Sequence, residues 1–491
     1  MSISEKELGR IREIVAADDR VKNSVVRLED DGSKVGIYVL PKNQEDSYQI
    51  RKEKAKAKGW AMVYDISYSK TDEHTDPEFN TDLWISNYTG EAIPEEHMRE
   101  WVDTTVSRIL SLSDKSSPDI LEIGCGSGLL LYPLLPHISR YIGVDNAEEG
   151  LKLITKQCKG REHGDKVSLY VADALSVLDL DLGSFDIIVI NSVTQYFPSV
   201  EYLIAVIEGC MELLSPGGTL FLGDIRSYDM AEAFFADTLS TVLAPETDIA
   251  TYRAKIAKKL KRDAESTFDP ILFHKIESIN SNIGSVSTQL RRGQLHNEMT
   301  YFRYDAILNK DAAPDSKDDG IHLVNITADE SGLDTAIALM DSNSHACIII
   351  NNVPNKRLIR ADVLLSSLSQ MNPEQNIKDL TTIVDSQLRA IKSYEPEDFW
   401  SLANDSYTIE VDWDPGKKLG MMQVRLYRKD LPIRDVGVDF KSKCRLSNNI
   451  SMKENNSLPM ELSAQIASSL PELDKKIDTY IVSEALMQIL S

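Results

Sequence analysis

The chain has 491 residues, with 54 Lys and Arg against 77 Asp and Glu, a net charge of −23 at pH 7 and 42% hydrophobic residues. At roughly 100 to 200 residues per domain, that is enough for two or three globular domains. The acidic excess argues against duplex nucleic acid or an anionic membrane as partner, because both are bound through Lys and Arg on phosphate, so any polyanion site has to be a local basic patch.

No window approaches the ~20 consecutive apolar residues of a membrane span, and the first segment, MSISEKELGRIREIVAADDR, is polar. A cytoplasmic protein is therefore expected. Its five cysteines, Cys125, Cys158, Cys210, Cys347 and Cys444, lie far apart, so no tight metal-ligand pair exists and reduced thiols are the default.

From the N-terminus, apolar Ile3, Leu8, Ile11 and Ile14/Val15 predict a helix over 3–16. A strand Val21–Leu28, the turn Asp30-Asp31-Gly32-Ser33 and a strand Val35–Leu40 complete a small α+β hairpin unit, too short to bury much core alone. Residues 43–59 are highly charged and read as a solvated helix or a linker. Trp60, Tyr64, Tyr68, Phe79, Trp84 and Tyr88 follow in polar surroundings, as the cover of a core edge or as a ligand lid. A helix opens near Pro94, with Glu95 and Glu96 in its first turn, and runs to about Leu112.

From Asp119 the pattern changes. Apolar runs at Ile120–Ile123, Tyr141–Val144, Val167–Val171, Ile187–Ile190 and Thr219–Leu222 alternate with helix-length segments, the signature of a doubly wound parallel α/β sheet. Beyond it, Met230–Asp263 reads as helical and ends on Lys255, Lys258, Lys259, Lys261 and Arg262. Strands are predicted at Val286–Leu290, Thr300–Leu308, Ile321–Val324, Ala346–Ile350, Tyr407–Asp412 and Gln423–Tyr427. Asp311–Asp319 reads as an exposed loop, and the last helices as Met460–Leu470 and Asp478–Leu490.

The central motif is Leu121-Glu122-Ile123-Gly124-Cys125-Gly126-Ser127-Gly128, after a strand and before a helix. Glycines permit a sharp turn and close approach of a ligand to backbone N–H groups. Dinucleotide binders place a third glycine where this chain has Leu129; the spacing here is ExGxGxG, the variant associated with class I S-adenosylmethionine methyltransferases. Three further strand ends agree. Asp145 ends the second strand, where an acid accepts ribose hydroxyls; Asp173-Ala174 follows the third; Asn191-Ser192 ends the fourth. A glycine-rich turn alone is as often structural, but four strand-end positions in register favour a cofactor site.

Longer segments carry a more specific resemblance. Trp60–Tyr68 (WAMVYDISY), Asp76–Pro94, Asn191–Leu203 (NSVTQYFPSVEYL), Gly217–Tyr228 (GGTLFLGDIRSY), Arg291–Leu308 and Tyr394–Trp400 resemble the methyltransferase domains embedded in nonribosomal peptide synthetases, over residues 58–430. In that family the domain interrupts the small C-terminal subdomain of an adenylation domain, and residues 3–41 and Glu461–Asp478 resemble the two halves of that host. The resemblance implies a division into 1–48 (first part of the small subdomain), 58–115 (lid), 116–230 (cofactor-binding core), 231–440 (substrate and C-terminal region) and 441–491 (second part). No NGKxDR-like lysine loop and no ATP-binding portion accompany them, so adenylation is not expected. The chain reads as a piece of a megasynthase or as one with a vestigial host subdomain.

The resemblance further implies S-adenosylmethionine as methyl donor, no metal, and as partners a phosphopantetheinylated carrier protein and adjacent synthetase domains. The expected reaction is N-methylation of a tethered aminoacyl amine. O-methylation of a tethered hydroxyl and a non-catalytic structural insert are the alternatives. Expected donor-binding residues are Glu122, Gly124, Gly126, Asp145, Asp173, Ala174, Asn191, Ser192 and Gln195, with Tyr64, Trp84 and Tyr88 as an aromatic lid attracted to a sulfonium. Glu298, His296, Tyr196 and Asp224 are the catalytic candidates; Asn297, Arg226 and Arg303 are the substrate-binding ones. Glu298 has a rival reading as an ion pair with Arg303, and His296 one as a structural histidine. The basic run ending at Arg262, together with Arg291, Arg292 and Arg303, is a docking-face candidate for an acidic carrier, against the reading of a solvated helix face.

Overall fold

The structure is a computed structural model and describes residues 3–29, 33–42, 59–69, 76, 78–311, 321–325, 331–342, 345–414, 419–430, 447–448, 457–470, 473 and 477–490. The turn at 30–32, the charged segment 43–58, the loop 312–319 and Cys444 lie outside the described residues.

Helix α1 (Glu5–Ala16) opens on a capping box between Ser4 and Glu7 and buries Leu8, Ile11 and Val15. Strands β1 (Val21–Glu29) and β2 (Lys34–Pro41) form an antiparallel hairpin. Helix α2 spans 59–68 and carries Trp60, Tyr64 and Tyr68 four residues apart, so the three rings share one face. Helix α3 (Glu95–Leu110) buries Trp101, Val102, Val106 and Ile109 along one stripe.

The chain then lays down β3 (Asp119–Ile123), the short α4 (Leu131–Leu134), β4 (Arg140–Asp145), α5 (Glu148–Cys158), β5 (Val167–Val171), β6 (Phe185–Asn191), α6 (Val200–Leu213) and β7 (Leu214–Arg226). Helices α7 (Ala231–Val242), α8 (Ile249–Arg262) and α9 (Ile271–Ile279) lead to β8 (Ile283–Leu290), the short α10 (Glu298–Phe302) and β9 (Arg303–Lys310). Next come β10 (Ile321–Asn325), α11 (Gly332–Ser342), β11 (Cys347–Pro354), α12 (Ile359–Gln370), α13 (Ile377–Leu388), α14 (Pro396–Trp400), β12 (Tyr407–Trp413) and β13 (Met421–Arg428). Helix α15 (Ser457–Ser469), β14 (Ile477–Ile481) and α16 (Glu484–Leu490) end the described chain.

The central sheet has seven strands in the order β5-β4-β3-β6-β7-β9-β8. The first five run parallel, and β9 pairs antiparallel with both β7 and β8. Strand β6 is buried at every position, as a central strand covered on both faces must be. Ile188 and Ile190 pack with Val200, Leu203 and Ile207 of α6, while Ile187 and Val189 pack with Trp101 and Val106 of α3 and Leu131 of α4. Each such side chain contributes about 1.5–3 kcal/mol by leaving water. The strand order reverses between β3 and β6, and the crevice at their carboxyl ends is where α/β sheets of this kind bind ligands.

A second sheet, β10-β11-β13-β12, stands beside it. A third joins the two ends of the chain: β14 lies parallel to β2, with Tyr480 stacked on Tyr38 at 5.1 Å. This corrects the helix expected over 478–490. Thr479 and Tyr480 pair into the sheet, and helix α16 starts only after Ser483, whose hydroxyl accepts the Leu486 N–H at 3.1 Å. The strand expected from Thr300 likewise begins at Arg303, because Asn297 caps a helical turn over 298–302. The single helix expected over 230–263 is two, α7 and α8, with Asp248 capping the second. Among the described residues no helix is long and apolar enough to cross a membrane.

Candidate active site

A cavity of about 850 Å³ opens at the carboxyl ends of β3, β4, β6 and β7. On one side the β3–α4 turn passes through left-handed backbone at Gly124 (φ +83°), Gly126 (+53°) and Gly128 (+90°). A Cβ at Gly124 would stand 2.3 Å from Val193 Cγ2, and one at Gly126 2.8 Å from the Tyr68 hydroxyl. Side chains are therefore excluded by both conformation and space. Gly124 N–H donates to Val144 O at 2.7 Å, tying the loop to β4.

Asp145 ends β4 against this loop. Its Oδ2 accepts the Gly126 N–H and its Oδ1 the Ala147 N–H, each at 2.8 Å. Burial nonetheless holds its pKa above the usual carboxylate value. The Asn146 N–H also faces this carboxylate, and since an ionised carboxylate has about four acceptor positions, capacity for a ribose hydroxyl remains. Glu122 lies under the loop, accepts the Tyr141 hydroxyl, and has its pKa pushed up to about 7 by burial. Asp173 accepts the Ser176 N–H at 2.9 Å and, with Ala174, lines the cavity beyond β5.

Asn191 supplies the test of whether a polar ligand fits. It is 6% exposed, borders the cavity, and its Oδ1 has no hydrogen-bond partner. A buried amide oxygen left unpaired costs about 1–3 kcal/mol, which a donor from a bound ligand removes. Gln195 Oε1, in the same wall, is in the same condition. Together with the glycine cradle and the remaining acceptor position of Asp145, these residues fit the amino and ribose groups of S-adenosylmethionine. That cofactor supplies, when bound, an electrophilic methyl group on a sulfonium.

The other side of the cavity is built from distant segments. Trp60 and Tyr64 of α2 face Tyr196, with Trp60 at 4.8 Å between ring centroids and the Tyr64 and Tyr196 hydroxyls hydrogen-bonded, while Tyr68 packs beside Tyr64 at 6.0 Å and turns its hydroxyl to the glycine loop. Burial raises the pKa of both phenols, so they remain protonated donors. Trp84 packs on Trp101 at 4.9 Å and borders the same space. Glu298, 4% exposed and also bordering it, accepts the Asn87 N–H at 2.7 Å and the Ser86 hydroxyl at 3.3 Å. Arg226 reaches the cavity too, but its guanidinium is held by Asp263 (2.8 Å) and Glu265 (2.8 Å).

Five of the expected roles meet a different arrangement. Tyr88 donates to Asp237 at 2.6 Å, away from the cavity lining, because the next turn of chain carries it toward α7. His296 does not line the cavity either: its Nε2 lies 3.1 Å from Glu395 Oε1, drawn there by the carboxylate beside α14. Asn297 caps α10, accepting the Met299 N–H at 2.9 Å, and its amide nitrogen meets His97 at 3.1 Å. Asp224, wholly buried and at φ +59°, receives the Ser192 hydroxyl at 2.8 Å and Arg303 Nη1 at 2.6 Å, so it clamps the ends of β6, β7 and β9. Arg303 borders the cavity but pairs with Asp224 and not with Glu298. Of the second basic group, Arg291 is buried on Asp305 at 2.8 Å and Arg292 is taken by Glu397 at 2.8 Å, so neither offers a free docking charge.

Residues that sequence reasoning left without a role also line the cavity. Phe234 and Phe235 of α7, Phe302 of α10, and Asp263 and Glu265 after α8 are among them. Their signal was weak, since an aromatic pair on an apolar helix face reads as ordinary core.

Residues 121–220 match a family described as a methyltransferase domain. The chain is 35% identical over 287 residues to the chondramide synthase of Chondromyces crocatus, covering 58% of this chain and 7% of that protein. It is 28% identical over 400 residues to the cyclosporin synthetase of Tolypocladium inflatum, covering 77% of this chain and 3% of that one. The chain thus spans a small fraction of the curated relatives it matches. Among solved structures, the N-methyltransferase NodS from Bradyrhizobium japonicum bound to S-adenosylhomocysteine is similar at 21% identity and a TM-score of 0.30, over 45% of this chain and 88% of that one.

The parallel sheet with its antiparallel last strands, the glycine turn and the acids at the strand ends define a class I S-adenosylmethionine-dependent methyltransferase. By sequence it is similar to short segments of nonribosomal peptide synthetases, and residues 121–220 match a methyltransferase domain.

Proposed function

We propose that this domain methylates the α-amine of an aminoacyl thioester tethered to the phosphopantetheine arm of a carrier protein, within the cytoplasm and beside further synthetase domains. The observation that carries this reading is the choice of groups on the acceptor side of the cavity. Glu298 borders it, whereas His296 is engaged by Glu395, and among the described residues no histidine lines the space. An α-amine has a reference pKa of about 7.7–8.0, so a carboxylate suffices to hold its ammonium form and take the proton. A phenol or alkanol titrates at about 10 or above and calls for a stronger base.

In this reading Glu298 receives the proton at a carboxylate oxygen and the backbone N–H of Asn87 keeps that carboxylate aimed. Of the paired Tyr64 and Tyr196 hydroxyls, the one that accepts keeps its own proton to donate toward the acceptor carbonyl, and Trp60 and Trp84 exclude water from the transfer. Placement of amine and methyl in one line is the main contribution, worth up to about 7–11 kcal/mol in well-aligned cases. Intact mass spectrometry of carrier proteins loaded with amino acids or the matching hydroxy acids tests the assignment. A gain of one methyl on the amino-acid series alone is expected; methylation of the hydroxy acids alone contradicts it.

A further inference from the structure

We propose that the mouth of the cavity carries an anion site on α8 that holds the phosphodiester of the arm delivering the substrate; this rests on the tethered-substrate reading above. Lys255, Lys258, Lys259 and Arg262 recur at i, i+3, i+4 and i+7, which sets them in one stripe, and all four border the cavity. The stripe cannot rotate away, because the opposite face of the helix is buried through Ile249, Tyr252 and Ile256. Lys261 falls off the stripe and is not part of the lining.

All four side chains are exposed, and among the described residues none has a hydrogen bond or ion pair. The adjacent carboxylates are already committed, since Asp263 and Glu265 both hold Arg226. Like charges three and four residues apart on a helix repel one another. A chain of net charge −23 thus keeps a row of uncompensated cations along the rim of this cavity.

The size of the stripe favours phosphate over an acidic protein surface. Seven residues of helix cover about 10 Å, enough for one or two phosphate contacts. A protein–protein patch takes roughly 800 Å² from each partner. Lys and Arg bind phosphate oxygens through short, charge-assisted hydrogen bonds, and a phosphate at the mouth leaves the remainder of a pantetheine arm to run inward beside Phe234 and Tyr196.

Calorimetric titration of phosphopantetheine and of pantetheine into the whole chain, at low and high salt, tests the site without any methyl transfer. Phosphopantetheine is expected to bind at least about tenfold more tightly, with the advantage lost in high salt. The variant K258Q/K259Q/R262Q should lose that preference, K261Q should keep it, and both should bind S-adenosylmethionine as the wild type does. Equal affinity for the two arms in the wild type overturns the proposal, as does a preference that survives in the triple variant. A triple variant that keeps the phosphate preference but loses carrier-loaded substrate would transfer the role to an acidic protein surface. If amines are not methylated while the phosphate preference holds, the reaction assigned above fails and the site stands.

Discussion

The two walls of the cavity are built by different means. The donor wall consists of turns at the carboxyl ends of β3, β4, β5 and β6, where each residue sits because the backbone puts it there. The acceptor wall gathers α2, the 83–87 strap, α7, the 263–265 segment and α10, which meet only through tertiary packing. The donor wall is tied mainly by backbone N–H groups to carboxylates; the acceptor wall is tied mainly by side chains to one another, with the Asn87 N–H on Glu298 as the exception. Changes in the first should therefore abolish cofactor binding, and changes in the second should alter turnover while leaving the cofactor in place.

The largest effect expected is on Gly124→Ala. Left-handed backbone and a 2.3 Å approach to Val193 together should weaken S-adenosylmethionine binding by about 4 kcal/mol, near a thousandfold in Kd. Calorimetry on the variant checks this, and an unchanged Kd would remove the glycine turn from the donor wall.

Glu122 comes next, as a pH effect. Its folded pKa of about 7 lies above the ordinary 4.5, because burial penalises the charged carboxylate. The protein should therefore be most stable, as far as this group is concerned, below about pH 4.5, and should lose on the order of 3 kcal/mol as pH rises through 7. Denaturant unfolding of Glu122→Gln between pH 5 and 8, compared with the wild type, should show that slope removed. An identical slope in both proteins would place the pH dependence elsewhere.

On the acceptor wall, Glu298→Gln should lower kcat by about a hundredfold with the cofactor Kd unchanged, the low end of general-base catalysis. A parallel loss of cofactor affinity would show that the two walls are not separable in the way described. The smallest effect is assigned to His296→Ala. Its partner Glu395 has its pKa lowered, burial opposing and the contacts with His296, Lys356 and Arg357 together prevailing, and the pair is partly exposed. Removing it should cost about 0.5 kcal/mol of stability and less than threefold in kcat. A loss comparable to that of Glu298→Gln would return the histidine to the reaction.

The same contrast governs what the sequence discloses. Glu122, Gly124, Gly126, Asp145, Asp173 and Asn191 are legible because strand periodicity and glycine spacing place them at strand ends, and the backbone then leaves them little choice. The doubly wound sheet is legible for the same reason. Asp224, His296, Asn297 and Tyr88 are chemically suitable residues at nearby sequence positions, yet their orientation depends on Arg303, Glu395, the start of α10 and Asp237, none of which local pattern can pair with them. The strand at 477–481 is short and followed at once by a helix, so only its partner β2, far away in sequence, decides its state.

Which atom receives the methyl group separates an amine acceptor from a hydroxyl one. Incubating the chain with S-adenosylmethionine carrying a 13C-labelled methyl and with an aminoacyl-phosphopantetheinyl carrier protein, then reading the product by heteronuclear NMR, measures this directly. A single new resonance at an N-methyl shift, absent for Glu298→Gln over the same time, is predicted. A resonance at an O-methyl shift, or one of undiminished rate in that variant, would contradict the account.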